Sequence, residues 1–406
     1  MDIKERSTDI SMDELAALVE TAGGEVAGRI LQNRPTPDPR SFIGDGKVQE
    51  LKDFIVANEC DLAVFDNELS PSQMRVLQED LGVKVLDRSG LILDIFAQRA
   101  QTREGRLQVE LAQYKYLLPR LLGMWTHLER QEGAIGTRGP GETQLESDRR
   151  HIRRKIQKLE EELEAVRKIR STQRRQREKN AIPVVALVGY TNAGKSSILN
   201  HLTNADIPAN NRLFDTLDTT TRHLKLEDAQ EVLLSDTVGF IRKLPTQLVE
   251  AFKATLEELR YADILLHVID ISNPDWMSQA EIVDNLIREL RAEDTPCIRV
   301  FNKCDKYIGI LPHGADAVCV SARTGEGMDK LLSMIANILS QGKHHAILRI
   351  PYHRGDLIDL LQREAAVLNI GYAEDCTVVE AIVKPEIWGR VKAFSNEPER
   401  SKGDWA

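Results

Sequence analysis

Gly189-Tyr190-Thr191-Asn192-Ala193-Gly194-Lys195-Ser196 has the spacing G-x-x-x-x-G-K-S. Its flanks give it a mechanism. The apolar run Val184 to Val188 predicts a strand leading in, and the amphipathic stretch Ser197 to Leu202 predicts a helix leading out. A strand, a glycine-rich turn and a helix N-terminus together aim backbone N–H groups at an anion. Gly189 and Gly194 let the backbone wrap closely around phosphates. Lys195 is placed to reach the β- and γ-phosphates of a nucleotide, and the Ser196 hydroxyl to bind Mg²⁺.

Further signals follow downstream in a fixed order. The strand-like run Val232 to Ser235 ends in Asp236-Thr237-Val238-Gly239, a D-x-x-G element that begins 47 residues after Gly189. Asp236 is expected to hold Mg²⁺ through water, and the Gly239 N–H to sense a γ-phosphate. Asn302-Lys303-Cys304-Asp305 follows the apolar run Ile298 to Phe301 and reads N-K-x-D. The Asp305 carboxylate can accept from guanine N1 and N2, a donor pair that adenine lacks. A site built on such pairing discriminates steeply against an analogue that leaves it unpaired. Asn302 is expected to brace the loop and Lys303 to lie over the base plane. Ser321-Ala322-Arg323, after the predicted strand Ala317 to Val320, fits S-A-K/R, whose backbone contacts guanine O6. GTP is therefore the expected substrate.

Between the phosphate loop and D-x-x-G, residues Phe214 to Arg222 hold the first switch. They offer Thr216, Thr219, Thr220 and Thr221 as ligands for Mg²⁺, and spacing alone does not choose among them. Many GTPases place glutamine just after D-x-x-G to orient the attacking water. Phe240 stands there instead. A phenyl ring can neither donate nor accept the needed hydrogen bond, so unassisted hydrolysis is expected to be slow. A partner, an ion or another residue must complete the site. Asn192 matches the position that binds K⁺ in potassium-dependent GTPases; the alternative is that it only braces the loop. A K⁺ there would supply positive charge.

The rest of the chain sets the context. Its 406 residues, 42% hydrophobic and 29% charged, have an ordinary globular composition and allow two to four domains. No run of 18 apolar residues predicts a membrane helix, and Met1 to Glu20 has no signal-peptide core. Five scattered cysteines fit neither a disulfide framework nor a zinc site, and suggest the cytoplasm. The histidines form no recognisable metal set. The net charge is −9, but residues 138–180 hold 14 Lys/Arg against 8 Asp/Glu. Such asymmetry points to a polyanion-binding segment in an otherwise acidic chain.

The first hundred residues alternate. Helices are expected at Asp13–Glu20, Gly46–Asn58, Ser70–Asp80 and Ser89–Ala100, the last capped by Ser89. Strands are expected at Glu25–Leu31, Leu62–Phe65 and Val83–Leu86. Gly44-Asp45-Gly46-Lys47 reads as a turn and helix start. From Thr102 to Asn180, two apolar stripes predict an antiparallel helical hairpin. One runs from Leu107 to Leu122 with a kink at Pro119, the other from Leu145 to Ile169, and they flank a glycine-rich tip, Gln131 to Glu142. Residues 346–395 read as strand, helix (Asp356–Leu368) and strand. The expected fold class is thus α/β and multidomain. An N-terminal α/β domain (1–101) precedes a basic helical hairpin (102–180). A P-loop G domain with a mostly parallel sheet flanked by helices (181–340) and a small α+β domain (341–406) follow.

The chain resembles the TRAFAC-class GTPases whose catalytic glutamine is replaced by a hydrophobic residue, through Gly189–Ser196, Asp236–Phe240 and Asn302–Asp305. More specifically, the run Gly136-Thr137-Arg138-Gly139-Pro140-Gly141-Glu142-Thr143-Gln144-Leu145-Glu146, with Asp148-Arg149-Arg150, resembles the signature of the HflX family. The resemblance spans nearly the whole chain. It implies a ribosome-associated GTPase, acting as a monomer, that binds the large subunit and its ribosomal RNA and splits stalled or idle ribosomes, notably under stress. Phe214-Asp215-Thr216-Leu217-Asp218 looks like the family's F-A-T-L-D, which favours Thr216 as the Mg²⁺ ligand, with Thr220 and Thr221 as alternatives. Asp215, Ser197, Thr219 and Arg323 depart from common family residues without removing required chemistry. With the resemblance, residues 189–197, 214–218, 236–239, 302–305 and 321–323 become the expected nucleotide contacts. Lys195, Thr216 and Gly239 are the expected catalytic groups, and Ser196, Thr216 and Asp236 the expected Mg²⁺ ligands. The basic residues Arg149, Arg150, Arg153, Arg154, Lys155 and Lys158 suit RNA phosphates; the alternative is a solvated, salt-bridged helix face.

Overall fold

The structure is a computed structural model. It describes residues 3–131, 140–179, 182–203, 213–214, 220–226, 231–245, 248, 257–340, 344–383 and 385–395. In the first part, α1 (Ile3–Thr21) and α2 (Asp45–Ala57) precede β1 (Leu62–Phe65), α3 (Pro71–Leu81), β2 (Lys84–Asp87) and α4 (Arg88–Arg99). β1 and β2 pair in parallel. Ser70 closes a capping box with Gln73, and Pro71 occupies the first turn, where its missing N–H costs nothing. Gly44 is the N-cap of α2, so the Gly44–Lys47 stretch is a turn and helix start.

Two expectations need correction here. Glu25–Leu31 is irregular chain, because no neighbouring strand among the described residues offers it a ladder. The cap of α4 is Asp87 rather than Ser89; its carboxylate accepts from Gly90 N at 2.8 Å, two residues earlier than expected.

α5 (Arg103–Gln131) and α6 (Pro140–Lys179) form the hairpin. Arg103 pairs with Glu162, and Lys155 donates to Tyr114 at 2.7 Å, so the helices run antiparallel. Leu107 and Leu111 pack on Leu159 and Leu163. α5 is assigned as one helix through Pro119. Leu117 and Ile169 of the expected stripes are exposed; Ile169 lies beyond the start of α5, so no residue of that helix stands opposite it. The predicted tip lies outside the described residues, apart from its helical ends at Gln131 and Pro140 to Glu142.

A six-stranded sheet follows, in the order β4-β5-β3-β6-β7-β8. Its strands are β3 (Val184–Gly189), β4 (Thr220–Lys225), β5 (Glu231–Asp236), β6 (Ile264–Asp270), β7 (Cys297–Asn302) and β8 (Ala317–Cys319). Only β4 is antiparallel. β3 shows why its sequence is almost wholly apolar: both faces are covered. Val185 and Leu187 pack with Ile198 and Leu199 of α7 (Lys195–Thr203) and with Leu331 and Ile335 of α9 (Met328–Ser340). Ala186 and Val188 belong to a cluster with Val283 and Ile287 of α8 (Trp276–Glu289), and with Leu15, Leu18, Ile92 and Phe96 from α1 and α4. The N-terminal helices therefore share a core with the nucleotide sheet.

At the C-terminal end, β9 (His344–Pro351), α10 (Gly355–Glu364), β10 (Ala366–Tyr372), β11 (Cys376–Val383) and α11 (Pro385–Val391) form an antiparallel sheet, ordered β10-β11-β9 and covered by helices. The expected helix Asp356–Leu368 stops at Glu364, and residues from Ala366 turn into a strand the sequence did not reveal. Pairing of β10 with β11 overrides a weak local helical pattern.

Candidate nucleotide site

The site lies along the carboxyl edge of the sheet, where open α/β sheets bind ligands. Gly189 ends β3, Asp236 ends β5 and Asn302 ends β7. A Cβ on Gly189 would lie 2.3 Å from Val268 O, so the loop can leave the sheet only as glycine. Gly194 has φ +94°, and a Cβ there would meet Asn302 Nδ2 at 2.2 Å.

Lys195 is buried, and its Nζ donates to Gly189 O at 3.2 Å and Tyr190 O at 3.0 Å. Burial pushes its pKa down to about 8, opposed by the Asp236 charge. Ser196 Oγ donates to Asp236 Oδ2 at 2.6 Å. These two hard oxygen groups converge beside Lys195, a donor set that fits Mg²⁺. Thr237 Oγ1 donates to Leu187 O at 2.6 Å, which fixes the start of the D-x-x-G turn. A Cβ on Gly239 would stand 3.0 Å from Lys195 Nζ, so this turn packs directly on the phosphate loop. Thr191 N donates to Phe240 O at 2.7 Å, and Phe240 N to Gly189 O at 3.2 Å. The Phe240 ring is buried in the cluster that contains the N-terminal helices.

The base-side residues converge as well. Asn302 Nδ2 donates to Ala193 O at 2.9 Å, and its Oδ1 accepts from Ala322 N at 3.1 Å. Lys303 is left-handed, with φ 62°, and its Nζ donates to Asn192 O at 2.9 Å. Asp305 accepts from Ser321 Oγ at 2.8 Å and pairs with Arg323 at 2.9 Å. The Ser321 hydrogen bond, with the Arg323 charge assisting, holds its carboxyl below the usual aspartate range. It is thus poised as an acceptor. Cys304 contributes only position; burial raises its thiol.

The first switch is described only at its edges. Phe214 is buried, with its ring edge-on to Phe96 of α4 at 4.7 Å. Asp215, Thr216, Leu217 and Asp218 lie outside the described residues, as does Thr219. Thr220 and Thr221 begin β4, and the Thr221 hydroxyl donates to Ser235 Oγ at 3.4 Å. Ser197 lies in the first turn of α7, and Val238 is buried beside the D-x-x-G turn.

Two sets of contacts were not read from sequence, although Tyr190 itself was expected as a nucleotide contact. Asp270, at the end of β6, accepts from Lys303 Nζ at 2.7 Å. Its position at the same sheet edge as Asp236 and Asn302 was the available signal. The other set is a polar joint to the N-terminal helices. Tyr190 Oη donates to Glu14 and accepts from Arg242 N at 2.8 Å. Arg88 pairs with both Glu14 and Asp66, and Asp66 pairs with Lys243. Burial, with Glu14 adding to it, pushes the Tyr190 phenol well above its usual value.

Known proteins carry the same arrangement of segments. Residues 9–97 match the family model described as GTP-binding GTPase N-terminal, 99–177 the GTP-binding GTPase middle region, and 184–303 the 50S ribosome-binding GTPase. The GTPase HflX of Caldanaerobacter subterraneus subsp. tengcongensis is 48% identical over 385 residues, covering 95% of this chain and 90% of the relative. That of Escherichia coli K12 is 43% identical, covering 94% and 91%. A GTP-binding protein of Sulfolobus solfataricus, solved with GDP, is 27% identical with a TM-score of 0.45, covering 81% and 95%. Among the described residues no helix is long and apolar enough to cross a membrane. With a phosphate cradle, a guanine-type base loop and near-full-length identity of this size, the chain belongs to the HflX family of GTPases and binds and hydrolyses GTP.

Proposed function

We propose that this GTPase acts in the cytoplasm on the large ribosomal subunit, contacting its RNA through α6, and dissociates stalled or idle ribosomes. GTP binding holds the ribosome-bound form, and hydrolysis releases it. The observation that carries this is Phe240. It sits at the water-orienting position with its ring buried, so that position supplies no hydrogen-bonding group for hydrolysis. A partner that supplies it makes hydrolysis contingent on docking. The four segments 1–101, 102–180, 181–340 and 341–406 divide this work, with the nucleotide held in the third.

Within the site, Lys195 neutralises the β- and γ-phosphates, the Gly239 N–H meets the γ-phosphate, and Asp305 pairs with guanine. Tyr190 to Ser197 and residues 214–218 surround the phosphates, and Ser321 to Arg323 close the base pocket. Ser196, Asp236 and Thr216 would hold Mg²⁺, which would offset the phosphate charge. The exposed Asn192 side chain supports a K⁺ site on the loop; equal turnover in K⁺ and Na⁺ buffers would remove it.

The decisive experiment adds purified large subunits to the protein and follows GTP turnover, together with sedimentation of intact ribosomes in a non-hydrolysable GTP analogue. Many-fold stimulation and loss of intact ribosomes are expected. Stimulation without splitting would favour a role in subunit maturation or other RNA handling. Splitting retained by Lys195→Ala would favour an RNA-binding module in which nucleotide is mainly structural.

A further inference from the structure

Asp270 belongs to none of the nucleotide motifs, yet its carboxylate is held at both oxygens beside the base loop. Its Oδ1 accepts from Ser272 Oγ at 2.6 Å and from Ser272 N at 3.1 Å, which fixes the side chain on its own turn. Its Oδ2 faces Lys303 Nζ at 2.7 Å. Both partners are largely shielded, with side chains 14% and 21% exposed, so the pair is little screened by water. β6 and β7 pair with Asp270 opposite Asn302, which brings the carboxylate to the Lys303 stem.

Lys303 is thereby tied at two points, to Asp270 and to the Asn192 carbonyl of the phosphate loop. Lys303 and Asn192 both have left-handed backbones, at φ 62° and 60°, which is ordinary for asparagine but uncommon for lysine. An ammonium has three donors. With two fixed, the direction of the stem and of the third is set before a nucleotide arrives.

We infer that Asp270 is a positioning residue for nucleotide binding: it holds Lys303 extended against the phosphate loop, so that the surface receiving the guanine nucleoside is formed in advance. The effect is on the nucleoside half that GDP and GTP share, so both nucleotides lose affinity together when Asp270 is changed. This role rests on the proposed GTP site and on Lys303 lying over the base plane, as expected of the N-K-x-D motif.

The test uses the full chain and compares Asp270→Asn, Lys303→Met and the double variant, with fluorescent GDP and a non-hydrolysable GTP analogue as ligands. Asp270→Asn is expected to weaken both about tenfold. It should raise KM for GTP with kcat unchanged; the lost ion pair lowers the unfolding midpoint of the ligand-free protein modestly, so affinities are compared per folded molecule. The double variant is expected to bind no more weakly than Lys303→Met alone. Unchanged affinity in Asp270→Asn, or losses that multiply in the double variant, would overturn the inference. If Lys303→Met itself binds normally, it is the base-plane role of Lys303 that fails. Should Asp270→Asn not fold, Ser272→Ala replaces it. That change is expected to weaken binding in the native background and not in Lys303→Met, and equal loss in both would count against Asp270.

Discussion

Asp87 and Lys195 are both buried charges, and they are compensated in opposite ways. Asp87 accepts from Gly90 N at 2.8 Å, Leu69 N at 3.2 Å, Tyr116 Oη at 2.7 Å and Arg120 at 2.8 Å. Arg120 in turn lies over the Tyr116 ring, 3.4 Å from its centroid. In this joint between β2, α4 and α5 the Asp87 carboxylate finds its cation and its other donors within the protein. Lys195 instead faces two neutral carbonyls, and its lowered pKa records the cost of keeping it charged there. The difference separates a structural joint from a binding site. A carboxylate already paired with a cation has its charge balanced, whereas a cradle short of counter-charge gains it when a phosphate enters.

That contrast can be broken most severely at the joint. Arg120→Met leaves the Asp87 carboxylate buried without its cation, and should cost about 3–5 kcal/mol of stability in urea unfolding. GDP affinity per folded molecule should stay unchanged. Lys195→Ala should do the reverse, lowering GTP turnover about 10²–10³-fold without lowering the unfolding midpoint of the ligand-free protein. If both variants lose stability alike, the two clusters are not different in kind.

A smaller effect sharpens the same point. With the Lys195 pKa near 8 in the ligand-free fold and 10.5 as the reference value, the penalty for its charge is full below pH 8. It lifts as pH rises from 8 towards 10.5, so ligand-free stability gains from this group across that window. A bound phosphate restores the proton. Affinity for GDP should therefore be about tenfold weaker at pH 9 than at pH 7, with roughly one proton taken up per nucleotide in calorimetry at pH 9. Proton uptake near zero would show that the cradle is already compensated.

The smallest expected effect is at Asp284 on α8, which pairs with His267 at 3.1 Å and Arg299 at 3.4 Å. The His267 imidazole beside it, with charge from Arg299 and Arg288, lowers its carboxyl from 3.8. Its contribution is present above that value and is lost as pH falls through the lower folded value. Asp284→Asn should thus be less stable than the native chain at pH 6 by no more than about 1 kcal/mol, with the gap closing as acid protonates the carboxyl in the folded state. A gap that persists in acid would mean that shape, not charge, matters there.

The phosphate loop, the D-x-x-G turn and the base loop were legible in the sequence because each is a local backbone device. A short spacing of glycine, lysine and hydroxyl residues after an apolar strand dictates its own geometry. The strands β1, β3, β5 and β7 were legible for a similar reason, being short apolar runs bounded by polar turns. β10 was not, because a half-buried edge strand takes its conformation from pairing with β11. The cap at Asp87 was hidden because that side chain had to serve α4, Tyr116 and Arg120 at once.

What the sequence by itself determined was the chemistry of the nucleotide and the absence of a water-orienting side chain at Phe240. Only tertiary structure decided what surrounds that chemistry. It placed Asp270 behind Lys303, and it packed α1 and α4 on the nucleotide sheet so that Glu14 meets Tyr190 across 176 residues of chain. Local pattern fixes a motif through the backbone of a few consecutive residues. Contacts between distant segments depend on the packing of whole faces, which no short stretch encodes.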